Sequence, residues 1–200
     1  MIYSITPELE AMSTYDDSIK ENYFFICSVN NKMKINNICC RFEVVSPLNL
    51  AQVRNTFPDY KTYKNFSGST VKIGSWCFLI FQNGKINLTG LKKVKDINRA
   101  ISILFSRMSI QPKIKNKSIV NISCSGKIEG RIDYKALLSN EKVEYEPELF
   151  PGMYLRNQSN KIVFIIFHTG KYILTGGRSI KDMRQALQSY RNRIKMFIDV

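Results

Sequence analysis

A single histidine, and five cysteines without a Cys-x-x-Cys spacing, leave this sequence with no recognisable set of metal ligands. The cysteines (Cys27, Cys39, Cys40, Cys77, Cys124) are odd in number, which argues against a complete disulfide framework and for reduced, mostly buried thiols. There is no glycine-rich phosphate loop, no nucleophile elbow and no paired-carboxylate site, so catalysis has no candidate residues and no cofactor is expected. Long apolar runs are missing too. The longest, residues 162–167, is far too short to cross a bilayer, and the start MIYSITPELE lacks the basic-then-apolar order of a secretory signal. These absences predict a soluble, intracellular chain with no membrane partner. Acidic residues are scarce, 16 against 30 Lys and Arg, and the net charge of +14 makes a polyanion the first partner to test.

What is present is a repeat. CFLIFQNGKINLTG, from Cys77, aligns without a gap with VFIIFHTGKYILTG, from Val163. Each block is an apolar run, a glycine-containing turn and a second run ending in Thr-Gly, the pattern of a β-hairpin. Behind each hairpin the apolar positions take helical spacing: Ile97, Ile101, Leu104, Phe105 and Met108 in one case, Ile180, Met183, Leu187, Tyr190, Ile194 and Phe197 in the other. Ser179 followed by Asp182 reads as a capping start for the second helix. Ahead of the hairpins lie INNICCRFEVV and SIVNISCSGKI, each a strand leading into a short helix over residues 48–54 and 132–138. The unit is strand, short helix, several strands, long helix, used twice. Its boundaries are residues 35–112 and 113–200, after an N-terminal segment 1–34 that carries no readable role.

Side chains alternate across a strand, so Val163, Ile165 and Phe167 face one way and Ile162, Phe164 and Ile166 the other. Both sets are apolar. Two long helices cover only one face of a sheet of eight or more strands, which leaves an apolar face over in a basic protein. Hydrocarbon in the middle and Lys and Arg at the margin is the mixture the DNA minor groove asks for, since that groove has few groups to read and yields to apolar wedges.

At YEPELFPG (Tyr145 to Gly152), Arg156, IFHTGK and LTGG, the chain resembles the core of the TATA-box-binding protein family, and the match extends from about residue 35 to 197. The resemblance implies an α+β saddle: two pseudo-symmetric repeats forming one curved antiparallel sheet with helices on the convex face. It implies a transcription initiation factor, not an enzyme, that binds A·T-rich double-stranded DNA in the minor groove and bends it. This family is the standing example of kinking by apolar wedges. By position the wedges are Phe66, Phe81, Phe150 and Phe167, with Phe57 as the weaker alternative to Phe66. Asn37, Asn121, Thr89 and Thr175 match the base-contacting residues. Lys72, Lys85, Arg156, Lys161 and Lys171 match the phosphate contacts, and Glu146, Glu148 and Leu149 the loop, or stirrup, that docks transcription factor IIB. A transcription factor IIA-like partner and the RNA polymerase machinery follow from the same resemblance, as does action in the nucleus or, for a virus-encoded member, in a viral transcription compartment.

Departures from the family concentrate in the first repeat. Its stirrup reads TYKNFSGS without proline, and Phe66 lies two residues closer to Phe81 than Phe150 does to Phe167. Cys39 and Ser123 replace family valines, Asn87 adds a polar group, and Arg41 brings a charge to the edge of the face. A partner-binding adaptor with altered TATA recognition is the rival reading. A base-processing enzyme on the same fold lacks a general base or nucleophile on the expected DNA face.

Overall fold

The computed structural model describes residues 33–64, 66–156 and 161–199. The N-terminal segment read from sequence therefore lies, up to residue 32, outside the described residues.

The first repeat runs β1 (Lys34–Val44), α1 (Leu50–Thr56), β2 (Lys61–Tyr63), β3 (Phe66–Ile73), β4 (Trp76–Phe81), β5 (Lys85–Leu91) and α2 (Asp96–Arg107). The second runs β6 (Ile114–Lys127), β7 (Arg131–Ile132), α3 (Tyr134–Asn140), β8 (Val143–Glu144), β9 (Met153–Arg156), β10 (Val163–Ile166), β11 (Lys171–Gly177) and α4 (Ile180–Ile194), with a 3-10 turn (Lys195–Phe197) and β12 (Ile198–Asp199) closing on β7. Ten strands form one open antiparallel sheet in the order β2-β3-β4-β5-β1-β6-β11-β10-β9-β8. Read outward from the central β1–β6 pair, the two halves carry corresponding strands in the same order.

Local chemistry explains the helix starts. Asn49 caps α1 by accepting from the N–H groups of Ala51 and Gln52, Asp133 caps α3 through Ala136, and Ser179 caps α4 through Asp182. The short helices begin two residues later than their apolar pattern predicts. Leu48 and Ile132 sit just before the caps and are buried there, in the staple position opposite the buried Val53 and Leu137 one turn in.

The helices cover one face of the sheet. On that side Phe78, Ile80, Ile86 and Leu88 of one half, and Phe164, Ile166 and Leu174 of the other, are fully buried, each contributing about 1.5–3 kcal/mol. Tyr190 of α4 stacks on Phe164 at 5.0 Å and donates its hydroxyl to the Ile162 carbonyl at 2.8 Å. The alternate residues of the same strands point to the other side, where none of the described helices lies, and are half-buried or exposed.

Core volume is exchanged between the repeats. Phe42 stands opposite Ile86 on β1–β5, whereas at the corresponding pair on β6–β11 Gly126 stands opposite Tyr172. A Cβ on Gly126 would meet the Tyr172 hydroxyl at 2.3 Å and its ring at 2.6 Å, so the small residue is what admits the large one.

Candidate nucleic-acid interface

The open face is polar at its centre. Asn37 of β1 registers opposite Ser123 of β6, and Cys39 opposite Asn121, so these four residues surround the middle of the sheet. The Asn37 carboxamide oxygen accepts from the Gly90 N–H at 2.8 Å and from the Thr89 hydroxyl at 3.1 Å. In the other half the Asn121 oxygen accepts from the Gly176 N–H at 2.9 Å. A backbone N–H can only donate, so both carboxamides are fixed with oxygen toward the glycine and the amino group turned away from it. The amino groups lie 2.9 Å from Thr89 Oγ1 and 3.5 Å from Thr175 Oγ1; Asn37 also donates to Cys39 Sγ at 3.3 Å. Each NH2 carries two protons: both of Asn37's are engaged, by Thr89 and by the weakly accepting Cys39 sulfur, whereas Asn121 has only the long Thr175 contact and keeps one for the face.

The Thr-Gly pairs supply this orientation. The strand register shifts between Ile38 and Cys40 on one side and between Thr175 and Gly177 on the other, and the glycines at the shifts have φ of +89° and +104°. A Cβ on Gly90 would stand 2.1 Å from the Ser75 carbonyl oxygen, and one on Gly176 2.2 Å from that of Lys161. Only glycine turns the amide toward the asparagine at these two points.

The ends of the face are aromatic. Phe150 is half-buried, its ring 5.7 Å from Phe167 and 5.5 Å from Tyr154. Gly152 makes the room: a Cβ there would be 2.5 Å from the Phe150 ring and 3.1 Å from that of Phe167. The preceding turn is closed by the Leu149 and Phe150 N–H groups, both donating to the Glu146 carbonyl, and it leaves Leu149 81% exposed with Glu146 and Glu148 beside it in solvent. Tyr134 braces the base of this stirrup by donating to the Ile166 carbonyl at 2.7 Å and packing edge-on against Tyr145; burial and that neighbour push its hydroxyl pKa up to about 12.

At the opposite end Phe81 is half-buried and registers against Gly68 of β3. Position 66 lies two residues before Gly68, as Phe150 lies two before Gly152. The two-residue difference in spacing falls elsewhere, between Lys72 and Cys77 in the first repeat and between Arg156 and Val163 in the second. Phe57, the weaker candidate, is 2% exposed in the core and does not reach the open face.

Lys72, Lys85, Lys161 and Lys171 are exposed along the margins. Arg156 is engaged: its Nε and Nη2 donate to the Glu144 carboxylate at 2.8 and 3.2 Å, and the guanidinium sits 5.9 Å from the Tyr154 ring. Hydrogen bonding from Arg156 holds Glu144 below the usual carboxylate range. A phosphate at Arg156 would have to share or displace this exposed partner. Of the thiols, Cys40 and Cys124 are buried, but Cys39 and Cys77 are only half-buried and face the open side, which departs from the expectation of mostly buried cysteines. Cys27 lies outside the described residues. Among the described residues no cluster of three metal-ligating side chains exists, and no helix is long and apolar enough to cross a membrane.

The family model described as "Transcription factor TFIID (or TATA-binding protein, TBP)" matches residues 32–109 and 116–197, one match on each repeat. The chain belongs to this family. It is similar to the TATA-box-binding protein of Archaeoglobus fulgidus, 30% identical with 82% of this chain and 95% of that one aligned. The TATA-box-binding protein of Methanothrix thermoacetophila is 28% identical over 84% and 97%. Among solved structures, Methanococcus jannaschii TBP superposes with a TM-score of 0.73 at 26% identity, covering 82% of this chain and 98% of that one. The open ten-stranded sheet with helices on one side is thus the saddle-type fold of the TATA-binding proteins.

Some contacts of this face escape sequence reasoning. The Glu144–Arg156 pair joins β8 to β9, and β8 is only two residues long, too short to register as a strand. Tyr154 packs on Phe150 because it lies two residues past Gly152 and so on the same face, a parity visible only once β9 is placed.

Proposed function

We propose that the open face binds A·T-rich double-stranded DNA through its minor groove and bends it, and that the protein acts as a TATA-box-binding transcription initiation factor. The observation that carries this is the pair of asparagines at the centre of the sheet, each held by a glycine N–H with its amino group turned away from that amide; Asn121 keeps a proton to donate, and Asn37 gains one by exchanging its weak Cys39 thiol contact for a base acceptor. In the minor groove A·T pairs of either orientation offer only acceptors, adenine N3 and thymine O2, whereas guanine adds an amino donor. Two oriented donors favour the first and meet a second donor in the other case. Thr89 and Thr175 fix the donors laterally, and the apolar surface beside them fits base edges that have little left to hydrogen-bond.

At each end of the face a phenylalanine pair, Phe66 with Phe81 and Phe150 with Phe167, inserts between base steps. Insertion costs a few kcal/mol per unstacked step and is easiest at flexible TA steps. The marginal lysines, with Arg156 once it exchanges Glu144 for phosphate, neutralise the backbone and make affinity fall steeply with salt. Glu146, Glu148 and Leu149, solvent-facing beside Phe150, form the docking site for a transcription factor IIB-like protein. A IIA-like factor at the first stirrup and the polymerase machinery complete the assembly. Its place of action is that of its template, the nucleus or a viral transcription compartment.

The rival, an adaptor that keeps the stirrup and has weak TATA recognition, draws on the polar Arg41–Asn87 pair in the first half of the face. Bending separates them. Energy transfer between dyes at the ends of a TATA-containing duplex should report shortening with the wild type, none with a scrambled duplex, and a much smaller change with Phe150→Ala or Phe66→Ala. No shortening with the wild type would favour the adaptor, and normal bending by Phe66→Ala would remove Phe66 from the wedge set.

A further inference from the structure

The two halves of the open face match at the centre and at the wedges but not between them. Asn87 of β5 and Ile173 of β11 occupy equivalent positions, each two residues before the Thr-Gly pair, and register across from Leu79 and Ile165. Arg41 of β1 lies beside Asn87 and donates from Nε to its Oδ1 at 2.9 Å. The equivalent of Arg41 is Ser125, which instead hydrogen-bonds Asn36 at 3.1 Å, and so Ile173 has an apolar neighbourhood in Ile165 and Val163.

We infer that Asn87, held by Arg41, lets the first half of the face accept a G·C pair at one position where Ile173 in the second half demands A·T. This rests on the minor-groove reading given above. A guanidinium only donates, so it fixes the Asn87 carboxamide with Oδ1 toward Arg41 and Nδ2 on the other side. A carbonyl oxygen has two acceptor sites and Arg41 takes one. The second is open to the guanine amino group, while Nδ2 can donate to guanine N3 or cytosine O2. Ile173 offers neither, so an amino group pressed against it is desolvated without a partner. The face is therefore chemically polarised: a donor–acceptor amide and a positive charge on one side of the centre, branched hydrocarbon on the other. A polarised face reads an asymmetric site in one orientation.

The test is a competition-binding scan with a short A·T block flanked by G·C pairs, in which A·T pairs are replaced by G·C one position at a time and then at matching positions in both halves. Wild-type protein should lose less than about threefold when a single G·C stands at one distance from the centre, in either half of the block, because the protein turns to bring Asn87 to it, but roughly tenfold or more when G·C stands at that distance in both halves at once. Asn87→Ile should lose roughly tenfold or more with the single replacement, and Ile173→Asn should tolerate the double one. Continued binding of the uninterrupted A·T block reports that each variant is folded. A wild type that tolerates no single replacement or tolerates the double one equally, or an Asn87→Ile profile unchanged from wild type, overturns the inference. Failure of the wild type to bind even the uninterrupted block overturns the minor-groove reading itself, and this inference with it.

Discussion

At the scale of single residues, the proposed recognition of A·T pairs depends on which way two carboxamides point. The Gly90 and Gly176 amides decide it, because each fixes an asparagine oxygen and so turns the amino group away from the glycine. Asn37→Asp isolates that function: a carboxylate still accepts from the Gly90 N–H, but it has no donor to offer and adds negative charge where adenine N3 or thymine O2 would lie. The expected result is a melting temperature close to wild type and a loss of at least about tenfold in affinity for A·T duplex, measured by fluorescence anisotropy. Unchanged affinity would mean that Asn37 is a structural residue. Sequence alone brought Asn37 and Asn121 to attention because they recur at equivalent positions. It did not reveal why glycine follows each threonine, since a positive φ at a register shift leaves no mark beyond the Thr-Gly dipeptide itself. Phe150 is the opposite case. Two flanking prolines and a glycine read as a turn with an exposed tip, whereas Gly152 lets its ring settle against Phe167 and Tyr154.

At the scale of elements, hairpins and long helices were legible because each satisfies a periodicity within one stretch of chain. The short helices were displaced by two residues for a specific reason: Leu48 and Ile132 are apolar and buried, yet they precede the capping Asn49 and Asp133 rather than opening the helix. Packing between elements was illegible. The exchange of Phe42 and Ile86 for Gly126 and Tyr172 moves the large aromatic ring from one strand of the pair to the other, so each position by itself looks unrelated to its counterpart. Gly126→Phe should destabilise the fold by at least about 1–3 kcal/mol, the usual cost of overfilling a packed core. Adding Tyr172→Ile, which recreates the pair found in the first repeat, should recover a large part of the loss in denaturant titrations. If the double variant is no more stable than the single one, the two sites are not equivalent in packing.

Over the whole molecule, duplication builds a sheet with one helix-covered face and one face that none of the described helices covers, and divergence then makes that open face unequal from end to end. The repeat made the unit and its duplication legible in the sequence; that the two copies join through their first strands, β1 beside β6, comes from the strand pairing. The inequality was visible only as scattered departures: Arg41 and Asn87, Cys39 against Ser123, and the stirrup without proline. Their placement on one surface needed the register of β1, β5 and β6. Lys72 at the margin of the first half meets its counterpart Arg156 in the second, where Glu144 offsets the charge, so polarity runs through the electrostatics as well.

The central claim is that this face reads DNA from the minor groove, and inosine tests it directly. An inosine·cytosine pair lacks the guanine amino group, so its minor groove matches A·T while its major groove matches G·C. Affinities should be measured for three duplexes that differ only in a central block: A·T, inosine·cytosine, and G·C. The account predicts that the inosine duplex binds within about threefold of the A·T duplex and that the G·C duplex binds at least roughly tenfold more weakly. An inosine duplex that binds as weakly as the G·C one would place recognition in the major groove and contradict the account.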